Sequence, residues 1–126
     1  MSQADSVPAT SPNRSAAEVF ESHLAFRKQH DLEQDIATNY SEDVVLLTLT
    51  GIFRGLPGLR ACAAELQEYF PDGHYDYRVR LVEGEIAFLA WSGRSATGKV
   101  HDGADTFHIR DGKIVVQTIH YTVDRD

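Results

Sequence analysis

The chain reads as an α+β fold in which helices cover one face of a strongly bent, mostly antiparallel sheet. Two periodicities carry that reading. Apolar residues recur at helical spacing between residues 15 and 40 and again between 57 and 70, whereas residues 43 to 53 and 74 to 122 are rich in branched and aromatic residues, with stretches of strict alternation. Turn dipeptides divide the second half: Glu83-Gly84, Thr97-Gly98 and Asp111-Gly112.

The elements follow in order. "MSQADSVPATSPNR" is polar, holds two prolines and lacks the apolar stretch of a signal peptide, so residues 1 to 14 are expected to be a disordered tail before a single domain over 15 to 126. Ser15 and Glu18 form a capping-box pattern, and Ala16, Val19, Phe20, His23, Leu24 and Arg27 then repeat at helical spacing, giving a first helix over about 15 to 29. Asp31 caps a short second helix with Leu32, Ile36 and Tyr40 on one side. "DVVLLTLTGIF" is a strand that turns at Gly51. Pro57 suits the start of a third helix, Leu59, Cys62, Ala63, Leu66 and Phe70 mark its buried face, and Pro71 with Gly73 ends it. "HYDYRVRLV" alternates, with Tyr75, Tyr77, Val79 and Leu81 on one face. "EIAFLAWSGRSA" is apolar on both faces, which places it mid-sheet or beneath a second subunit.

Composition narrows the function. The 126 residues are 42% hydrophobic and 25% charged, enough for one core. The net charge of -7 and the lack of any Lys/Arg run argue against nucleic acid and anionic membrane as partners and leave a small molecule or another protein. One cysteine, Cys62, offers no disulfide framework, so a reducing cytoplasm is the expected setting. His101, His108 and His120 do not gather on one face with a carboxylate, and no metal is expected.

One residue breaks its pattern. In "GADTFHIRDGKIVVQTIHYT" strand parity puts Asp105 on the face of Phe107 and Ile109, where an unpaired charge is costly, so it should be paired, protonated or at work. It is either a rim carboxylate held by Arg27 or a buried group in a site. His23 is either a satisfied core histidine or a proton carrier. Arg27, one turn on, pairs with Asp105 or snorkels outward. Tyr40, Tyr75 and Tyr77 pack in the core with bonded hydroxyls, or line a ligand site. The register of the last hairpin stays open. A two-residue Asp111-Gly112 turn sets Thr118 opposite Asp105 with His120 nearby, whereas a three-residue turn with Gly112 as bulge sets Gln117 there and turns Ile119 and Tyr121 inward.

The order of elements, "HDLEQDIATNYSEDVVLLT" and the closing "ADTFHIRDGKIVVQTIHYT" resemble the SnoaL-like branch of the nuclear transport factor 2-like superfamily over about residues 15 to 124. The resemblance implies a cone-shaped roll, a bent sheet wrapped around the N-terminal helices with a pocket at one end. It also favours the bulged hairpin, hence Tyr121 inward. Its members include isomerases, dehydratases, polyketide cyclases, epoxide hydrolases, ligand binders and adaptors. By this resemblance Asp105 matches the oxyanion-hole aspartate of ketosteroid isomerases, His23 falls where those enzymes hold a tyrosine, and Tyr121 lies near a pocket aromatic. Thr48 stands at their general-base position, and threonine cannot take a proton from carbon, so that chemistry is not expected. "AFLAWSGR" lacks the Arg-x-Asp of limonene-type epoxide hydrolases, and Asp124 lies about two residues from the polyketide cyclase aspartate.

The expectation is therefore a small-molecule site with His23 and Asp105 as catalytic residues, hydrogen-bonded to each other directly or through one water, and Arg27, Tyr40, Thr48, Phe107, Gln117 and Tyr121 as pocket lining. It would act without a cofactor as an isomerase, cyclase or dehydratase on a mostly apolar carbonyl or hydroxy compound. The alternative is a non-catalytic ligand-binding or assembly domain. In either case two copies are expected to join through the outer face of the sheet, since the helices cover only the inner one.

Overall fold

A computed structural model describes residues 13 to 126. Three helices, α1 (Ala16–Lys28), α2 (Leu32–Asn39) and α3 (Gly55–Tyr69), lie against a curved, unclosed sheet. Its strands are β1 (Tyr40–Thr48), β2 (Gly51–Arg54), β3 (His74–Glu83), β4 (Ile86–Ser95), β5 (Gly98–Arg110), β6 (Lys113–His120) and a short β7 (Asp124–Arg125). The spatial order is β2-β1-β6-β5-β4-β3, with β7 on the far end of β5. All pairs are antiparallel except β1 with β6, which run parallel.

The expected tail falls mostly on residues 1 to 12, outside the described ones. Arg14 departs from it. Its guanidinium donates to Asn39 Oδ1 at 3.0 Å and to the carbonyls of Thr38 and Gly112 at 2.9 and 2.8 Å, fastening the start of α1 to α2 and to the β5–β6 turn. The capping box follows as expected: the Glu18 amide donates to Ser15 Oγ, and the Ser15 amide donates to Glu18 Oε1.

α1 ends in a Schellman arrangement. The amides of His30 and Asp31 donate to the Arg27 and Phe26 carbonyls, and His30 takes the left-handed conformation at φ 58° that glycine more often occupies. Asp31 then caps α2 through the Gln34 amide. This tight reversal lays α2 back along α1.

The first strand starts three residues earlier than expected, at Tyr40, and Leu49-Thr50 turn it into β2. The β3–β4 loop is Gly84-Glu85 and the β4–β5 loop Ala96-Thr97, each offset by one residue from the expected dipeptide. Alternation of burial in β3 fails after Tyr77, where a bulge at Arg78 shifts the ladder; beyond it Leu81 and Val82, on opposite faces, are both exposed.

The last hairpin follows neither expected register. Asp111 and Gly112 take φ values of 53° and 75°, as a two-residue type I′ turn requires, and Arg110 pairs with Lys113. One extra residue, Val115, then bulges out, so that Ile109 pairs with Ile114 but His108 pairs with Val116. Asp105 thus lies opposite Ile119. Ile114 and Gln117 are both buried, three apart in sequence, which an unbroken strand does not permit.

Phe20, Phe70, Phe107, Val19, Val44, Leu46 and Ile114 are almost wholly buried between helices and sheet. The outer face is different. Ile52, Leu47, Thr118, Thr106, Phe88 and Leu81 follow one another strand by strand across it, with Ile52 and Leu81 about 60% exposed.

Candidate functional site

Between α1, α2, α3 and the concave face of the sheet lies an inner chamber of about 90 Å³. It shares Thr48, Glu65, Ile119 and Tyr121 with a wider mouth of about 420 Å³. Its lining is mainly apolar and aromatic, with a few polar groups, as ligand sites generally are.

His23 and Asp105 both reach the chamber, but no direct hydrogen bond joins them. The helix reversal presents Asp35 to His23, and Asp35 Oδ2 lies 2.7 Å from His23 Nδ1. Asp35 Oδ1 accepts from Asn39 Nδ2 at 2.9 Å, and Asn39 in turn receives Arg14. Asp35 is completely buried. With Asp35 accepting at Nδ1, the imidazole keeps Nε2 as its second functional atom, and Nε2 has no protein partner among the described residues and opens onto the chamber. The rings of Phe107 and Tyr40 stand edge-on to the imidazole at 5.1 and 5.8 Å and hold its plane.

Sheet neighbours reach Asp105 first. Trp91 pairs with Gly103 and Gln117 with Phe107, so each is a diagonal neighbour of Asp105 on the same face. Trp91 Nε1 donates to Oδ1 and Gln117 Nε2 to Oδ2, both at 2.9 Å. The Tyr40 hydroxyl donates to Gln117 Oε1 and closes the chain. Asp105 is 8% exposed, so the rim position held by Arg27 does not apply.

Burial raises the Asp105 pKa. The Trp91 and Gln117 hydrogen bonds and the charges of His23 and Arg27 oppose that without cancelling it. Because the folded value lies above the unfolded one of about 3.9, the native state binds the extra proton. Asp105 therefore makes stability fall as pH rises from the unfolded value through the folded one. Urea melts between about pH 4 and 8 are expected to show wild type losing stability relative to Asp105→Asn as pH increases. The opposite slope would mean that the two donors hold the carboxylate ionised.

Of the expected lining, Arg27, Tyr40, Thr48, Gln117 and Tyr121 are present. Phe107 is a correction: it does not reach the chamber but packs behind His23 and against Phe20 at 5.3 Å, because the imidazole lies in front of it. Tyr75 and Tyr77 line the chamber as well, stacked at 6.2 Å with an 8° angle between planes, and Trp91 stands edge-on to Tyr75 at 5.3 Å. Burial raises all four chamber tyrosines, Tyr40, Tyr75, Tyr77 and Tyr121, with Tyr121 pushed up to about 12, so they remain hydrogen-bond donors. It also pushes the Cys62 thiol up to about 11, with Glu65 and Asp105 adding to the effect, which leaves it a poor nucleophile. Among the described residues no group of three His, Cys, Asp or Glu side chains is placed to hold a metal ion.

Sequence reasoning missed Asp35. The signal was present: Leu32, Asp35, Ile36, Asn39 and Tyr40 form one helical stripe, and two of its five positions are polar.

A family model described as SnoaL-like domain matches residues 20–117. No protein of curated function matches the sequence. Among solved structures, an NTF2-like protein of unknown function from Cytophaga hutchinsonii is similar at a TM-score of 0.68 and 11% identity, over 86% of this chain and 90% of that one. A SnoaL-like protein of unknown function from Burkholderia thailandensis is similar at 0.68 and 18%, over 85% and 94%. A candidate SnoaL-like polyketide cyclase from Mesorhizobium loti is similar at 0.63 and 18%, over 86% and 100%. At these identities the likeness is one of fold.

Proposed function

The chain belongs to the SnoaL-like domain family, and from that premise we propose that it is an acid-base enzyme working without a cofactor on a small, mostly apolar carbonyl or hydroxy compound. The observation that carries this reading is the His23–Asp35 pair, with Nδ1 bonded at 2.7 Å and Nε2 open to the chamber. A buried carboxylate behind an imidazole fixes the tautomer and stabilises the imidazolium that forms when Nε2 takes a proton. His23 thus moves the proton, and isomerisation, cyclisation and dehydration all require such a step. Asp105 serves in a different way from a direct partner of His23. It fixes Trp91 and Gln117, and through Gln117 the Tyr40 hydroxyl, as one wall of the chamber. Its two engaged oxygens are also what supports the second reading, a binding domain whose polar groups satisfy one another.

A panel of ketones, lactones and phenols, followed by thermal shift and product analysis, separates the two. His23→Gln is expected to lower turnover by about 10²–10⁴-fold while keeping the ligand-induced shift. Binding without turnover in the wild type would support the binding domain, and full activity of His23→Gln would remove the histidine from the mechanism.

The same reading extends to assembly. The exposed Ile52, Leu47 and Leu81 on the outer sheet face support a homodimer formed through that face. Light scattering is expected to give about twice the chain mass of 14.1 kDa at micromolar concentration, and Leu81→Arg to lower it to a single chain. A wild-type monomer would overturn this.

A further inference from the structure

Arg27 follows His23 by one helical turn and faces the same chamber. Its guanidinium forms no ion pair among the described residues. The groups whose electrostatics act most on it are Tyr75, Tyr40 and Asp35, and its charge is felt in turn by Asp105. Both carboxylates of the chamber floor are already committed through both oxygens, Asp35 to His23 and Asn39, and Asp105 to Trp91 and Gln117. An arginine cannot shed its proton at any ordinary pH, so its charge persists in an apolar chamber and needs a counter-charge. The walls beside it are flat: the stacked Tyr75 and Tyr77 and the edge of Trp91.

We propose that the chamber binds a small carboxylic acid with a planar apolar body, its carboxylate on the Arg27 guanidinium and its ring against the wall that Tyr75 and Trp91 form together. Carboxylate fits better than phosphate. Its two coplanar oxygens match one guanidinium fork, and a dianion would find no second cation. Arg27 is the one lysine or arginine among the residues that line the chamber, and Lys28, over the Tyr77 ring at 5.2 Å, lies on an exposed part of α1. A dianion would also meet Asp35 and Asp105. The chamber of about 90 Å³ suits one ring, and larger substituents would extend into the mouth past Thr48 and Tyr121. Because Arg27 and His23 are one helical turn apart on the same face, a ligand whose carboxylate sits on Arg27 presents the rest of its body to the chamber that His23 also lines. That last assignment rests on the acid-base reading; binding by Arg27 does not.

The only tryptophan, Trp91, reports binding through its fluorescence. Benzoate and benzamide share a shape and differ in charge near neutral pH, as do 2-naphthoate and 2-naphthamide. The acid of at least one pair is expected to bind 10-fold or more tightly than its amide, a gap of about one power of ten in Kd. Arg27→Gln should erase that gap by weakening the acid alone, and Arg27→Lys should retain part of it. His23→Gln should keep the gap, so that a failure of the acid-base reading and a failure of this one are told apart. Equal affinities for acid and amide, a loss in Arg27→Gln shared by both, or no binding of any probe tighter than about 10 mM would overturn the proposal. Retention of the wild-type melting temperature in Arg27→Gln separates lost binding from lost fold.

Discussion

Replacing Asp35 with alanine is expected to lower folding stability by about 3–5 kcal/mol, the range found when one partner of a buried pair is removed. Two N–H groups aim at this wholly buried carboxylate, that of His23 Nδ1 and one of the two on Asn39 Nδ2, and both would lose their acceptor, while the other Asn39 N–H keeps Ser22 Oγ. The loss is a large fraction of the roughly 5–15 kcal/mol that holds a domain of this size. Urea denaturation at neutral pH measures it. A double-mutant cycle assigns it: in a His23→Phe background the same Asp35→Ala change should cost clearly less, since one of the stranded donors is gone. A loss below about 1 kcal/mol in the wild-type background would mean that water enters and satisfies both donors, and that the pair does not hold the imidazole.

Gly103→Ala is the second large effect, although it adds only a methyl group. Gly103 lies under the Trp91 indole, and a Cβ there would meet ring atoms at 2.2 Å, far inside contact distance. β5 cannot withdraw, because Gly103 is paired with Trp91 in the β4–β5 ladder. The indole must therefore swing away, taking Nε1 from Asp105 and leaving one buried oxygen unsatisfied. Overpacking and the lost hydrogen bond together are expected to cost about 3 kcal/mol, or about 10 °C in Tm. Emission from this one tryptophan should move to longer wavelength in the same variant. An unchanged Tm with unchanged emission would show that the ring yields without strain.

The course of the chain was readable wherever a side-chain period had a single interpretation. Ser15 with Glu18, Asp31 before Leu32, and Asp111-Gly112 act over three or four residues, so local chemistry decides them and the structure has them where the residues indicate. Val115 marks the limit of such reasoning. In Ile114-Val115-Val116 every residue suits either face, so nothing local tells which one leaves the ladder; the contacts of Gln117 with Asp105 and Tyr40 decide it from across the fold. The site shows the same division. Asp105 stood out because a carboxylate interrupts a strand face, and it is buried and bonded. Its partner was misassigned because two candidates of opposite charge character on facing elements suggest a pair, while Trp91 and Gln117 are nearer along the sheet. Asp35 was passed over because attention went to the apolar members of its stripe. Arg14 was assigned to the tail on composition, yet three acceptors at the ends of other elements converge on it.

The parallel pairing of β1 with β6 governs the order in which this chain can assemble. β6 is the sole link between the β2-β1 ribbon and the β5-β4-β3 meander, and its contacts with β1 join residues about 70 positions apart. During synthesis the meander can zip up hairpin by hairpin, whereas β1 waits with an open edge that carries Val44 and Leu46 until Lys113–His120 has left the ribosome. Nascent chains halted before that point expose two unpaired strand edges at once, the arrangement most prone to join with other chains. Closure is then a late, long-range step, and it brings Gln117 to Asp105 and Tyr40 in the same event. A ligand that binds the finished chamber draws the chain through that step by mass action, so supplying it during translation should raise the yield of folded protein more than adding it afterwards.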